Sequence, residues 1–287
     1  MSVKSTSQVL SVNLARVQPN PHKRGEALTG IDKISTSQAV LVRAPGSKRD
    51  GMGSGLVGDT VCDRGNHGGD TQAVYAYARE DLNYWESILE RTLPGGVFGE
   101  NLTMAGVDVN GAVIGERWRI GDELELAVTA PRIPCGTFRG WIAERGWLRT
   151  FAQAALPGTY LSVVSPGQVR AGDRVTVLQR PAHGVTVAHV FRALTLEPAL
   201  LPSILAAEEL QEGTEEWPRA ERAFALGWAE PAAMGRPGVE ECAGVAVPMA
   251  ARGQIGWAQA LEVDALGRGV VVDAGSALEG RRGFTGR

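Results

Sequence analysis

The most regular pattern in the chain is the run from Glu123 to Thr129. Leu124, Leu126 and Val128 fall on one side, and Glu123, Glu125 and Thr129 on the other. A period of two over that length predicts a half-buried β-strand. The next residues narrow the choice further. Pro131 and Pro134 bracket Arg132 and Ile133, and Cys135, Gly136 and Thr137 come after them. Proline fixes its own φ and pushes its predecessor towards extended conformations, so the chain leaves this strand stiffly. Phe138, Trp141 and Ile142 then recur at helical spacing, so a helix is expected to begin just after Cys135.

Up to about residue 180 the remainder reads the same way, as short extended pieces between glycine turns. Val9 to Val17, Leu28 to Lys33, Ala39 to Arg43, Gln72 to Tyr77, Tyr160 to Ser165 and Arg174 to Leu178 are the candidates. A Gly-Asp pair precedes a strand twice, at Gly121-Asp122 and Gly172-Asp173. Arg79 to Arg91 places Leu82, Trp85, Ile88 and Leu89 on one face and predicts an amphipathic helix. Two polar stretches, Cys62 to Asp70 and Phe98 to Thr103, interrupt the pattern. Many short strands with few helices predict a mostly β fold closed, or nearly closed, into a barrel over residues 1–180. The character changes after Arg180-Pro181. Thr186 is placed to cap a helix carrying Val187, Val190, Phe191 and Leu194, and Pro198 to Leu210 and Glu215 to Leu226 are further helix candidates. Residues 181–235 thus read as a small helical domain. Residues 236–287, rich in Gly, Ala and Val, fit neither part.

Charge and composition exclude several classes. The net charge is −3, so nothing marks a nucleic-acid partner. No apolar run is long enough to cross a bilayer, and Met1 to Asn13 lacks a secretory core, so a cytoplasmic protein is expected. Cys62, Cys135 and Cys242 are odd in number and widely spaced, which is no disulfide framework. In a reducing compartment they are thiols. Cys135 stands apart because a helix start and Arg132 both favour its thiolate, a soft metal ligand. A buried structural cysteine is the competing reading, and the residues alone leave both open. Cys62 and His67 are five apart, but no second ligand pair accompanies them at zinc spacing.

One set of motifs goes further. Leu28-Thr29-Gly30-Ile31-Asp32-Lys33, Gly58-Asp59, Asn66-His67-Gly68-Gly69, Ala73-Val74-Tyr75-Ala76-Tyr77, Phe98-Gly99-Glu100-Asn101-Leu102, Ile114-Gly115-Glu116-Arg117-Trp118, Pro131-Arg132-Ile133-Pro134-Cys135 and Ala171-Gly172-Asp173 occur in this order. In order and spacing they resemble the MOSC domain family, named after the C-terminal domain of molybdenum-cofactor sulfurases. The likeness runs from about Val9 to Leu210. It is greatest to the bacterial proteins associated with hydroxylaminopurine resistance, which carry a small three-helix domain after a barrel.

The resemblance implies that Cys135 ligates molybdenum in a pterin-bound cofactor and takes part in catalysis. It implies reduction of N-hydroxylated compounds, such as hydroxylaminopurines or hydroxyurea, to amines. Lys33 would contact phosphate or pterin as a point charge, and Arg132 would grip phosphate with its fork. His67 would bond the cofactor or handle a proton, and Asn101 would satisfy pterin or substrate groups. Each has a plainer alternative: an exposed lysine, a loop-bracing histidine or a turn-stabilising asparagine. Asp59 and Arg64 could be salt-bridged loop residues, while Trp141, Trp147 and Phe151 suit a core.

No dinucleotide fingerprint or iron–sulfur cysteine set is present, so an external reductase would supply electrons. A non-catalytic cofactor carrier or sulfur-transfer module is the competing function, and a nucleotide-binding barrel without metal is a third. A homodimer is compatible with the apolar face of the helical appendage.

Overall fold

The computed structural model describes residues 7–22, 28–210, 220–221, 259–263 and 269–273. Its strands are β1 (Gln8–Ala15), β2 (Gln18–Pro19), β3 (Leu28–Thr29), β4 (Lys33–Thr36), β5 (Val40–Val42), β6 (Val74–Ala78) and β7 (Leu102–Ala105). After these come β8 (Arg117–Ile120), β9 (Leu124–Pro131), β10 (Thr159–Ser165), β11 (Gly167–Val169) and β12 (Val175–Gln179). Among the described residues the α-helices that accompany them include α1 (Arg79–Leu89), α2 (Gly136–Ile142), α3 (Trp147–Ala154) and α4 (Val187–Thr195).

Eight strands form one mixed sheet in the order β12-β8-β9-β10-β6-β7-β1-β4, with β6 and β7 parallel and the other neighbours antiparallel. The short strands β2 and β3 pair with each other, as do β5 and β11.

The mostly β fold with helices matches the sequence expectation, but the sheet does not close into a barrel. The reason lies in β1, whose outer edge is divided. Ser7, Val9 and Gln8 meet Gly172 to Val175 through three backbone hydrogen bonds and one isolated bridge, Gln8 opposite Arg174. From Val12 to Ala15 the same edge pairs with β4 instead. A continuous ladder between β1 and β12 is therefore cut short.

The alternation seen in sequence is kept in β9, where Leu124, Leu126, Val128 and Ala130 are buried. By contrast, every residue of β6 is buried, as befits a strand covered on both faces. Strands β8 and β11 are among those that escaped the sequence reading. β8 carries Arg117 and Arg119 on its exposed side, and β11 is three residues long.

Trp85, Phe98, Phe138, Trp147, Phe151 and Phe191 are fully buried, each with a ring centre within 6.5 Å of another's. This cluster joins α1, α2, α3 and α4 to the loop before β7. Rings of this size contribute roughly 1.5–3 kcal/mol each by burial alone. Trp147 and Phe151 thus lie in the core, while Trp141 is half-buried with its indole N–H on the Val97 carbonyl.

Thr186 caps α4, its hydroxyl accepting from the His189 amide at 3.1 Å. The stretch from Pro198 to Ala206 is a 3-10 helix instead of the expected α-helix. Pro202 lies inside it and has no N–H for an i→i−4 bond. Of the third helix candidate, Glu215 to Leu226, only Ala220 and Glu221 lie within the described residues.

The chain divides into two compact units, Met1–Ala243 and Gly244–Arg287. In the second, β13 (Gln259–Val263) and β14 (Gly269–Asp273) pair antiparallel. No helix among the described residues is long and apolar enough to cross a membrane.

Candidate functional site

The register β9–β10–β6 places Ala130, Tyr160 and Tyr75 side by side, and β9 ends one residue before Arg132. At this end of the three strands a cleft opens to solvent. Lys33, His67, Asn101, Arg132 and Cys135 all line it, although they come from several loops and one short strand.

Cys135 is the N-cap of α2, in extended conformation at φ −119°, and is partly exposed. Burial alone would raise its thiol pKa. A hydrogen bond with His67 and the charges of Arg132 and His67 outweigh this and bring it from 9.0 down to about 6. The Phe138 amide helps in the same direction but falls short of a full capping bond. The sulfur is thus anionic at neutral pH, as the sequence suggested, and His67 is an added cause that the sequence could not place.

His67 reaches the site because its loop folds tightly. His67 N–H bonds the Asp63 carbonyl at 2.9 Å, and Gly69 N–H bonds the Gly53 carbonyl at 2.9 Å. Gly68 has φ +83°, and a Cβ there would come within 2.6 Å of the Gly53 oxygen. Only glycine fits that close approach. Asn66 stays outside, exposed, with its amide on the Asp63 carboxylate. Arg64 donates to the Gly51 carbonyl.

Arg132 is 6% exposed, and its guanidinium carbon lies 3.6 Å from the centre of the Phe138 ring. Burial opposes its charge, but the Tyr75 hydroxyl, the Cys135 sulfur and Tyr160 favour it, and its pKa stands above the ordinary value. Among the described residues its Nη1 has no hydrogen-bond partner. A buried guanidinium donor without a protein partner, on a residue that lines the cleft, suits an anion or a strong acceptor. Burial pushes the neighbouring Tyr160 hydroxyl up to about 12 against the pull of Arg132, so that group remains a neutral donor.

Lys33 is held differently. Its ammonium sits 2.6 Å from Asp59, with the two side chains 8% and 1% exposed. Asp59 also accepts from the Ala15 amide, the Ser54 hydroxyl and the Asn101 amide, at 2.7 to 2.9 Å. Burial works to raise the Asp59 pKa, but Lys33, Ser54 and Asn101 together hold it below the ordinary 3.8. Lys33 therefore lines the cleft as half of an ion pair.

Asn101 is similarly engaged. Its Nδ2 donates to Asp59 and to the Asn13 carbonyl, and its Oδ1 accepts from the Tyr75 amide. Its loop is shaped by Glu100, fully buried, which accepts from the Gly96 and Phe98 amides and the Thr103 hydroxyl. Asp59 is the hub of this floor. Its sequence neighbours gave no hint of that, because three of its four partners, Ala15, Lys33 and Asn101, come from distant segments. Tyr160 and Gln72 also line the cleft and carried no signal beyond their place near strands.

The donor set fits a metal carried by its own organic ligand. Cys135 offers one soft anionic sulfur, Arg132 offers an open cationic fork, and no cluster of three or more His, Cys, Asp or Glu able to hold a bare ion occurs among the described residues.

The MOSC domain profile matches residues 63–176 of this chain. The uncharacterized protein YflK of Bacillus subtilis is 32% identical over 179 residues, covering 62% of this chain and 76% of YflK. A protein of Gibberella moniliformis named "Reductase" is 28% identical over 144 residues, which span 49% of this chain but 26% of that longer protein. The crystal structure of YiiM from Geobacillus stearothermophilus has the same fold, with a TM-score of 0.58 at 21% identity, covering 78% of this chain and all of YiiM.

Proposed function

The chain belongs to the MOSC domain family, and on that premise we propose that it binds a molybdenum–pterin cofactor and reduces N-hydroxylated compounds to amines. The observation that carries this reading is the pairing of an ionised Cys135 with a buried Arg132 whose Nη1 is open, both on one cleft. The overall change is R–NHOH + 2e⁻ + 2H⁺ → R–NH₂ + H₂O. When bound, the cofactor supplies the two-electron redox chemistry.

The protein's own groups have narrower tasks. Cys135 Sγ is the metal ligand, kept ionised by Arg132 and His67. Arg132 binds the anionic part of the cofactor, and stacking on Phe138 fixes the plane of its fork. The His67 ring, beside the sulfur, is placed to give up one of the two protons. Lys33, Asp59 and Asn101 hold the floor of the cleft in one arrangement. Electrons come from an external reductase, and the substrate is a small N-hydroxylated molecule.

The test is direct. Protein made in a host that supplies the cofactor should carry molybdenum and pterin in near-equal amount to protein, and Cys135→Ser should lose the molybdenum. A reduced-dye assay with a hydroxylaminopurine should then show turnover above Cys135→Ala. Loaded protein without turnover would favour a carrier, and protein with neither metal nor pterin would sink the proposal.

A further inference from the structure

We infer that Gln72 is a ligand-recognising residue, whose side-chain amide bonds a heterocyclic N–H of the molecule held beside Arg132. This rests on the proposed use of the cleft for a pterin and an N-hydroxylated base.

Six buried side-chain polar atoms lack a hydrogen-bond partner among the described residues. They belong to Ser11, Asn13, Arg64, Gln72, Arg132 and Trp147. Of these residues, only Gln72 and Arg132 line the cleft. One orphan is an acceptor, Gln72 Oε1, and the other a donor, Arg132 Nη1. Turning the Gln72 amide over would merely exchange an orphan acceptor for an orphan donor. Buried polar groups are nearly always satisfied, and an unpartnered one at a cleft is satisfied by what enters the cleft.

The local backbone fixes the position of this residue. Gln72 closes the 3-10 turn Asp70–Gln72, and its amide N–H bonds the Gly69 carbonyl at 3.0 Å. Asp70 ties the turn to the loop above by accepting from the Gly46 amide at 2.8 Å. The Thr129 hydroxyl ties it to β9 through the Thr71 carbonyl at 2.6 Å. The turn is therefore fixed on both sides, and Gln72 is held at the cleft without its own amide oxygen being used.

A ligand that satisfies both orphans presents an N–H edge together with an acceptor oxygen or an anionic group. The amino-pyrimidinone of a pterin has such an edge, and so has an aminopurine base. Hydroxyurea has N–H groups but no heterocycle.

The experiment uses full-length wild type, Gln72→Met and Gln72→Asn made with the cofactor supplied. Pterin is read by fluorescence after oxidation, molybdenum by metal analysis, and KM with a hydroxylaminopurine and with hydroxyurea. If Gln72 holds the pterin, Gln72→Met loses it about 10-fold more readily on dilution. If it holds the substrate base, pterin content is unchanged and KM for the hydroxylaminopurine rises about 10-fold, while that for hydroxyurea does not move. In either case cofactor-free Gln72→Met melts at or above the wild-type temperature, because an unpaired buried acceptor has been removed. Unchanged pterin retention and unchanged KM values in loaded protein overturn the inference alone. So does a cofactor-free Gln72→Met and Gln72→Asn pair that both melt lower, which marks a structural role. Wild type carrying no pterin overturns the underlying reading, and this inference with it.

Discussion

Arg132 stacks on Phe138 with 3.6 Å between guanidinium carbon and ring centre, and the same Phe138 ring packs edge-on against Phe98, Trp147 and Phe151. The cation of the candidate site thus rests directly on the aromatic core. The ring face offsets part of the cost of burying the charge and fixes the guanidinium plane, so the N–H edge is preset.

Replacing the fork should therefore matter even where charge is kept. Arg132→Lys retains a cation but loses the planar stack and the second donor. The variant should fold, since Nη1 has no protein partner to lose among the described residues, and should retain pterin about 10-fold less well. Equilibrium dialysis followed by pterin fluorescence reads this. Retention equal to wild type would remove Arg132 from the binding role.

The ionisation of Cys135 can be followed without cofactor. Alkylation of the Cys135 peptide by iodoacetamide, followed by mass spectrometry, should show a midpoint near pH 6 instead of the ordinary 9.0. His67→Ala and Arg132→Leu should each move the midpoint upward. The sign for stability comes from a depressed native pKa. The folded state gives up its proton first, so the Cys135 contribution grows as pH rises from about 6 to 9 and is lost below 6. Cys135→Ser should flatten that part of the profile.

The cleft was legible in sequence to the extent that its residues sit in local motifs. Pro131 to Cys135 announces a stiff exit from a strand, and the glycines after His67 announce a close backbone approach. Periodicity also located β9 and α1, because one face of each is buried and the other is not. Pairing between distant segments was not legible. Asp59 gathers Ala15, Lys33 and Asn101 from along the chain, and nothing near Asp59 signals that. Nor does local pattern say whether a sheet closes. That depended on how β1 divides its outer edge between β12 and β4.

The Asp59–Lys33 pair should be costly to break from one side and cheap to remove from both. Asp59→Asn leaves the Lys33 ammonium, 8% exposed, without its anion and should destabilise by about 3–5 kcal/mol. Lys33→Met with Asp59→Asn should recover much of that loss, because the introduced amide oxygen would still accept from the Ala15 amide. Denaturant titration of the two single variants and the double variant measures the coupling. Additive losses would mean that the pair is not coupled.

Asp81, which does not line the cleft, supplies a second pH test. Its carboxylate accepts from Asn110 Nδ2 at 2.6 Å, while Asn110 also accepts from the Gly158 and Ala188 amides. Burial raises the Asp81 pKa from 3.8 to about 6; Asn110 opposes this, and Glu80 and Asp108 add to it. Between those two values the folded state keeps a proton that the unfolded chain has released. Stability contributed by this group therefore falls as pH rises from about 4 to 6 and stays reduced above 6. An asparagine at this position can still accept from Asn110 and carries no charge to bury. Asp81→Asn should then match wild type near pH 4 and exceed it by about 1 kcal/mol at pH 7.5, after allowance for screening at a partly exposed group. Urea titrations at the two pH values decide it. A variant less stable than wild type at pH 7.5 would show that the ionised carboxylate holds α1 to the Asn110 loop more strongly than its burial penalises it.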